Sequence, residues 1–143
     1  MDNSYIESLR KDVKRALKSD KMRFRHTIGV ADTSACLASR YGVDMQKAYI
    51  SGLLHDCAKY GIKDEDILGA IKWHTTGHPD MTMLEKIVFV ADYIEPYRNK
   101  ASNLDTIRYL AFTDIDKAVL QILNDTINYL NKKGNPIDSI TLD

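Results

Sequence analysis

Apolar residues return at every third or fourth position along almost the whole of this chain and nowhere alternate in steps of two, which limits it to a packing of helices. Ile6, Leu9, Val13, Ala16 and Leu17 form the first stripe and predict a helix over 4–18 with Ser4 as its N-cap. A second stripe, with Val30, Ala31, Ser34, Leu37, Ala38 and Tyr41, predicts a helix over 22–41 that Gly42 stops. Asp44 then caps a third helix, MQKAYISGLLHDCAK, so apolar around 50–54 that its end, with His55 and Asp56, should be buried. Asp64 opens a fourth, carrying Ile67, Leu68 and Ile71 toward Trp73 and His74, and the loop TTGHPDM follows. Thr82 and Glu85 have the spacing of a capping box, so a helix should begin at 82 or 83 and end at Pro96. Two more are expected over 105–112 and 114–132, before Gly134 and Pro136. The expectation is an all-α bundle of six or seven helices, one domain over 1–143.

Composition narrows the function. A length of 143 residues can bury a core without disulfide staples, so Cys36 and Cys57 are read as reduced thiols. Twenty basic residues balance twenty acidic ones, which argues against an extended nucleic-acid surface or an anionic membrane as partner. No apolar run approaches the ~20 residues of a membrane span, and MDNSYIESLRKDVKR has no secretory core, so a cytoplasmic location is expected. No glycine-rich phosphate loop occurs, so phosphate chemistry here would need a metal.

The histidines supply a candidate. His26, His55 and His74 stand beside apolar helical patterning, where an imidazole must find partners for both ring nitrogens. A lone helical histidine is commonly a satisfied core residue. The adjacent pair His55-Asp56 differs, because consecutive helical side chains point about 100° apart and meet at one ion only near a helix end. An unpaired buried Asp is costly, and a dication removes that cost. Asp92, which interrupts the apolar face of IVFVADYIEP with Glu95 one turn on, repeats the situation, with a salt bridge or cap as its plainer reading.

His26, then His55-Asp56, then Asp92 resembles the H…HD…D signature of the HD superfamily of metal-dependent phosphohydrolases. The strings RFRHTIGVADTSACLA, KAYISGLLHDCAK, DILGAIKWHTTG and MTMLEKIVFVADYIEPYR, with LAFTDIDKA, resemble its YqeK-type branch of symmetrical diadenosine tetraphosphate hydrolases and cover most of the chain. The resemblance implies that His26, His55, Asp56 and Asp92 bind a first metal and that His74 joins a second set bridged by Asp56. It implies a catalytic role for Asp56 and Lys59, with Lys59 on phosphate. Arg98, Arg23 and Thr75 are the further substrate-binding candidates, since a guanidinium fork matches phosphate oxygens. The implied cofactor is a divalent or ferric transition metal, iron first, with Mn, Co or Mg as substitutes. The implied partner is a small nucleotide, with no nucleic acid and no membrane, and a homodimer is left open.

One departure concerns the spacing. Members of that branch have a few dozen more residues between the HD-bearing helix and the HTTG helix, with a further metal-binding histidine, whereas here Tyr60 runs directly into Gly61. The second metal should therefore be held weakly or not at all, and slower turnover is the expected cost; His78 is a candidate to compensate but reads as a surface loop residue. The expected reaction is hydrolysis of diadenosine tetraphosphate to two ADP. The alternatives are another HD-type nucleotide phosphohydrolase, or a non-catalytic metal-stabilised module that binds nucleotides or a partner.

Overall fold

The computed structural model describes residues 3–57, 62–99, 101, 103–134, 136 and 141. Among them are seven helices and no strand: α1 (Asn3–Ala16), α2 (Lys21–Tyr41), α3 (Met45–Leu54), α4 (Glu65–Lys72), α5 (Met83–Ile94), α6 (Leu104–Thr113) and α7 (Ile115–Lys133).

The helix ends follow from local chemistry. Asp44 accepts from the backbone of Gln46 and Lys47, and Asp64 from Asp66 and Ile67, so both cap as their positions suggested. The Thr82–Glu85 capping box is complete, a device worth about 1 kcal/mol. Gly42 and Gly134 end α2 and α7 in the left-handed conformation, at φ 71° and 72°. Two ends differ from expectation. Ser4 does not cap α1, because the backbone is already helical at Asn3. Helix α2 begins at Lys21, where Asp20 accepts a 2.9 Å bond from the Arg23 amide.

Two apolar clusters form the interior. Leu9, Val13, Ala31, Ile50, Leu53, Leu54, Ile67 and Ile71 join α1, α3 and α4 to one side of α2. The other gathers α5, α6 and α7 against the opposite side of α2, through Val30, Leu37 and Ala38. Helix α5 is the most deeply sunk, with Leu84, Ile87, Val88, Phe89, Val90, Ala91 and Ile94 all buried. Neighbouring residues Val30 and Ala31 enter different clusters, so the clusters meet along α2. The Tyr41 hydroxyl donates to the Ala111 carbonyl at 2.6 Å and ties α2 to α6. Both cysteines are free, and among the described residues no helix is long and apolar enough to cross a membrane.

Helices α2 and α3 approach closely because Gly52 has no side chain. A Cβ there would lie 2.8 Å from the Ala31 Cα and 2.9 Å from the Val30 carbonyl, both backbone atoms that cannot yield locally. Gly52→Ala should therefore push the two helices apart and lower stability by about 1–3 kcal/mol, read as a reduced midpoint in urea unfolding. An unchanged midpoint would show that the contact is looser than this.

Candidate metal centre

Each histidine of interest is fixed by a helix end. His55 closes α3, and its Nδ1 lies 2.6 Å from the Gly52 carbonyl. His74 follows α4, and its Nδ1 lies 2.6 Å from the Ile71 carbonyl. In both cases the carbonyl three residues back belongs to the last helical turn, where acceptors lack intrahelical partners. Donation from Nδ1–H makes Nε2 the bare nitrogen and aims it away from the helix, the usual way that a protein orients a metal-binding imidazole. His26, in α2, has its Nδ1 3.4 Å from Glu95 Oε1 and its Nε2 2.9 Å from Asp92 Oδ1.

These nitrogens meet two carboxylates. His55 Nε2 is 3.2 Å from Asp56 Oδ2 and 3.3 Å from Asp92 Oδ1, and His74 Nε2 is 3.4 Å from Asp56 Oδ1. The rings of His26 and His74 stand edge-on to His55, with centroids 5.4 and 5.1 Å away. Ligand atoms of His26, His55 and Asp56, and of His55, His74 and Asp92, fall within 4.8 Å of one another. All five residues read from the sequence as metal ligands are thus brought together.

Whether the cluster suits a cation turns on His55. Its side chain is fully buried, and Nε2 makes no hydrogen bond, although two carboxylate oxygens are near. With Nδ1–H spent on Gly52, Nε2 faces two anions, an arrangement that needs a proton or a metal cation between them. The same tension appears in the acidities. Burial pulls the His55 imidazolium down, but Asp56 and Asp92 outweigh it and push its pKa up to about 10. His55 and His74 hold the Asp56 carboxyl well below the usual carboxylate range. Burial opposes the ionised form of Asp92, yet His26 and His55 hold it low as well. A transition-metal dication, which favours imidazole and carboxylate donors, fits this set.

The cluster forms part of the wall of a cleft of about 970 Å³. Arg23, Arg98 and Thr75, the substrate-binding candidates, line it, and so do Arg25, Tyr97 and Asn99, which the sequence reading passed over. Arg98 donates from Nε and Nη2 to the Asp92 carbonyl at 3.2 and 3.1 Å. Two of its five N–H donors are thereby used. Lys59 lies outside the described residues. His78 stands apart from the cluster. Its Nε2 is 2.8 Å from Glu85 Oε1 in the α5 capping box, and its ring packs on Trp73 at 4.7 Å, so it is neither a free surface residue nor a ligand in this arrangement.

Glu95 is the larger omission. It is 1% exposed, faces His26 Nδ1, and accepts from the Tyr97 amide at 3.2 Å. A Cβ on Gly29 would overlap its carboxylate. Two i, i+3 relations carried the signal: Glu95 follows Asp92 on one helical face, and Gly29 follows His26 on another.

Comparison with known proteins agrees with this geometry. Residues 23–67 match the HD domain family. The symmetrical bis(5'-nucleosyl)-tetraphosphatase of Halalkalibacterium halodurans is 38% identical, over 84% of this chain and 85% of that protein. The enzyme of the same name from Bacillus subtilis is 36% identical, over 80% and 83%. The first alignment spans 160 positions against 143 residues here, so the relative has residues with no counterpart in this chain. A crystal structure of a predicted HD superfamily hydrolase involved in NAD metabolism, from Clostridium acetobutylicum, superposes with a TM-score of 0.89 at 32% identity, covering 96% of this chain and 93% of that one. From the shared helical architecture, the clustered H…HD…D residues and these extensive identities, it follows that the chain belongs to the HD-domain family of symmetrical bis(5'-nucleosyl)-tetraphosphatases.

Proposed function

We propose that this protein hydrolyses diadenosine tetraphosphate at its central anhydride, giving two ADP, with a metal held by His26, His55, Asp56, His74 and Asp92. The observation that carries the metal assignment is the buried His55 Nε2, which makes no hydrogen bond yet lies 3.2 and 3.3 Å from two carboxylates. The imidazole and carboxylate donors suit iron, with Mn or Co as substitutes. When bound, such an ion supplies Lewis acidity, polarising a phosphoryl oxygen and lowering the pKa of water. One water oxygen adds to a central phosphorus, the bridging P–O bond breaks, and the water protons are shared between the two ADP products and solvent.

The remaining work belongs to the protein's own side chains. Arg23 and Arg98 face the cleft and neutralise charge on the non-bridging oxygens, and Lys59 is assigned the same task from its place after the HD pair. Thr75 offers an exposed hydroxyl at the cleft wall. Glu95 holds the His26 ring in register, and the Arg98 contact to the Asp92 carbonyl ties phosphate binding to a metal ligand. With His78 committed to Glu85, the described residues leave the second-ion position His74 and the shared Asp56, so one ion is bound firmly and a second weakly.

Asp56→Ala should lose metal and reduce ADP release from diadenosine tetraphosphate by more than about 10³-fold, while Cys57→Ala keeps both, as metal analysis and product chromatography would show. Equal activity in Asp56→Ala and the parent would refute the mechanism.

The acidity of His55 sets a pH dependence. With its pKa raised to about 10, the metal-free protein keeps a proton on this ring throughout the neutral range, and metal binding must expel it. Rising pH therefore favours the ion. Titration with Mn²⁺ should give one tight equivalent, with affinity rising about tenfold per pH unit for each proton displaced. Affinity independent of pH, or two equivalents of similar strength, would contradict this account.

A further inference from the structure

Tyr97 is the only aromatic ring besides the imidazoles among the described residues that line the cleft, and metal chemistry gives it no task. Its side chain is 55% exposed, so it is not there to fill the core. Yet its root is firmly held. The Tyr97 amide donates to buried Glu95 Oε2, and the Arg98 amide donates to the Glu95 carbonyl at 3.0 Å. Arg108, from α6, bridges the carbonyls of Ile94, Glu95 and Arg98 at 2.8–2.9 Å, locking the turn after α5. The guanidinium of Arg25 lies 5.0 Å from the ring centroid and adjoins His26 in sequence. A planar π surface, backed by a cation and anchored to the carboxylate that orients a metal ligand, is thus presented to the cleft.

We propose that Tyr97, supported by Arg25, is the platform on which a purine base of the substrate stacks, which places a nucleoside at the end of the cleft where the first turns of α2 meet the turn after α5. This rests on the nucleotide reading of the site and adds the group that recognises the nucleoside. Stacking suits the position because an exposed ring costs nothing to uncover, and because Arg25 covers only part of it. Arg25, against the ring, and Arg98, next to Tyr97 in sequence, line the same cleft and lie beside both base and phosphate contacts. An aromatic face does not discriminate strongly among bases, so the platform selects a nucleotide over a bare polyphosphate more than adenine over guanine.

The test is calorimetric titration of the Mn²⁺-loaded protein with ADP and, separately, with inorganic pyrophosphate, for the parent, Tyr97→Ala and Tyr97→Trp. Tyr97→Ala should weaken ADP about tenfold and leave pyrophosphate unchanged, while Tyr97→Trp retains ADP binding. Thermal unfolding of each variant checks that all three are folded, as expected for an exposed side chain. The proposal is overturned if Tyr97→Ala holds ADP as tightly as the parent, if it weakens both ligands equally, or if the parent prefers pyrophosphate to ADP. A parent that binds ADP through Tyr97 but releases none from diadenosine tetraphosphate would sink the proposed function and leave the platform standing. One that cleaves that substrate with Tyr97 irrelevant to ADP binding would do the reverse.

Discussion

Two carboxylates, Asp56 and Asp92, face one buried imidazole nitrogen from different parts of the fold, and without positive charge among them the arrangement repels itself. Much else in the structure holds those groups in place. The closing turns of α3 and α4 each use a spare carbonyl to fix a histidine. Glu95 and Gly29 fit together so that His26 is braced from behind. The bare glycine edge at Gly52 lets α3 lie close enough to α2 for His55 to reach His26. Negative ends of helix dipoles near the cluster favour a cation, and the arginines of the cleft favour an anion. A metal and a polyphosphate are the complementary pair.

The helices were largely legible because their periodicity and caps are local matters. Asp44, Asp64, the Thr82–Glu85 box, Gly42 and Gly134 each act within four residues of their own position, so sequence spacing is enough to read them. Asp20 was legible in principle too, as an acid ahead of a helical stripe, but Met22 drew the boundary one residue late. The five candidate ligands could be named because an HD pair at the end of an apolar helix admits few explanations and because the surrounding strings resemble a known family. Their convergence was not itself readable, since His26 and Asp92 are 66 residues apart and nothing local records that they touch.

What escaped the sequence was pairing over distance between ordinary residues. His78 carries no mark that it will meet Glu85 and Trp73 rather than stand in water. Tyr97 and Arg25 look like solvated side chains until the turn after α5 is seen against the start of α2. Glu95 sits in the ADYIEP string, yet its task depends on a glycine in another helix. These positions share one property: their partners are chosen by tertiary packing, and their own type fits several roles.

The meeting of the two apolar clusters along α2 gives the centre a mechanical meaning. His55, Asp56 and His74 extend from the helices of one cluster, Asp92 from the central helix of the other, and His26 from the helix between. An ion coordinated by all of them would be a rivet through the seam. Its binding energy would resist separation of the halves as well as serve the reaction, and the amount of folded protein in a cell would then be linked to the supply of the metal. Starvation for that metal would then thin the population of the enzyme itself, and not only silence the copies already made.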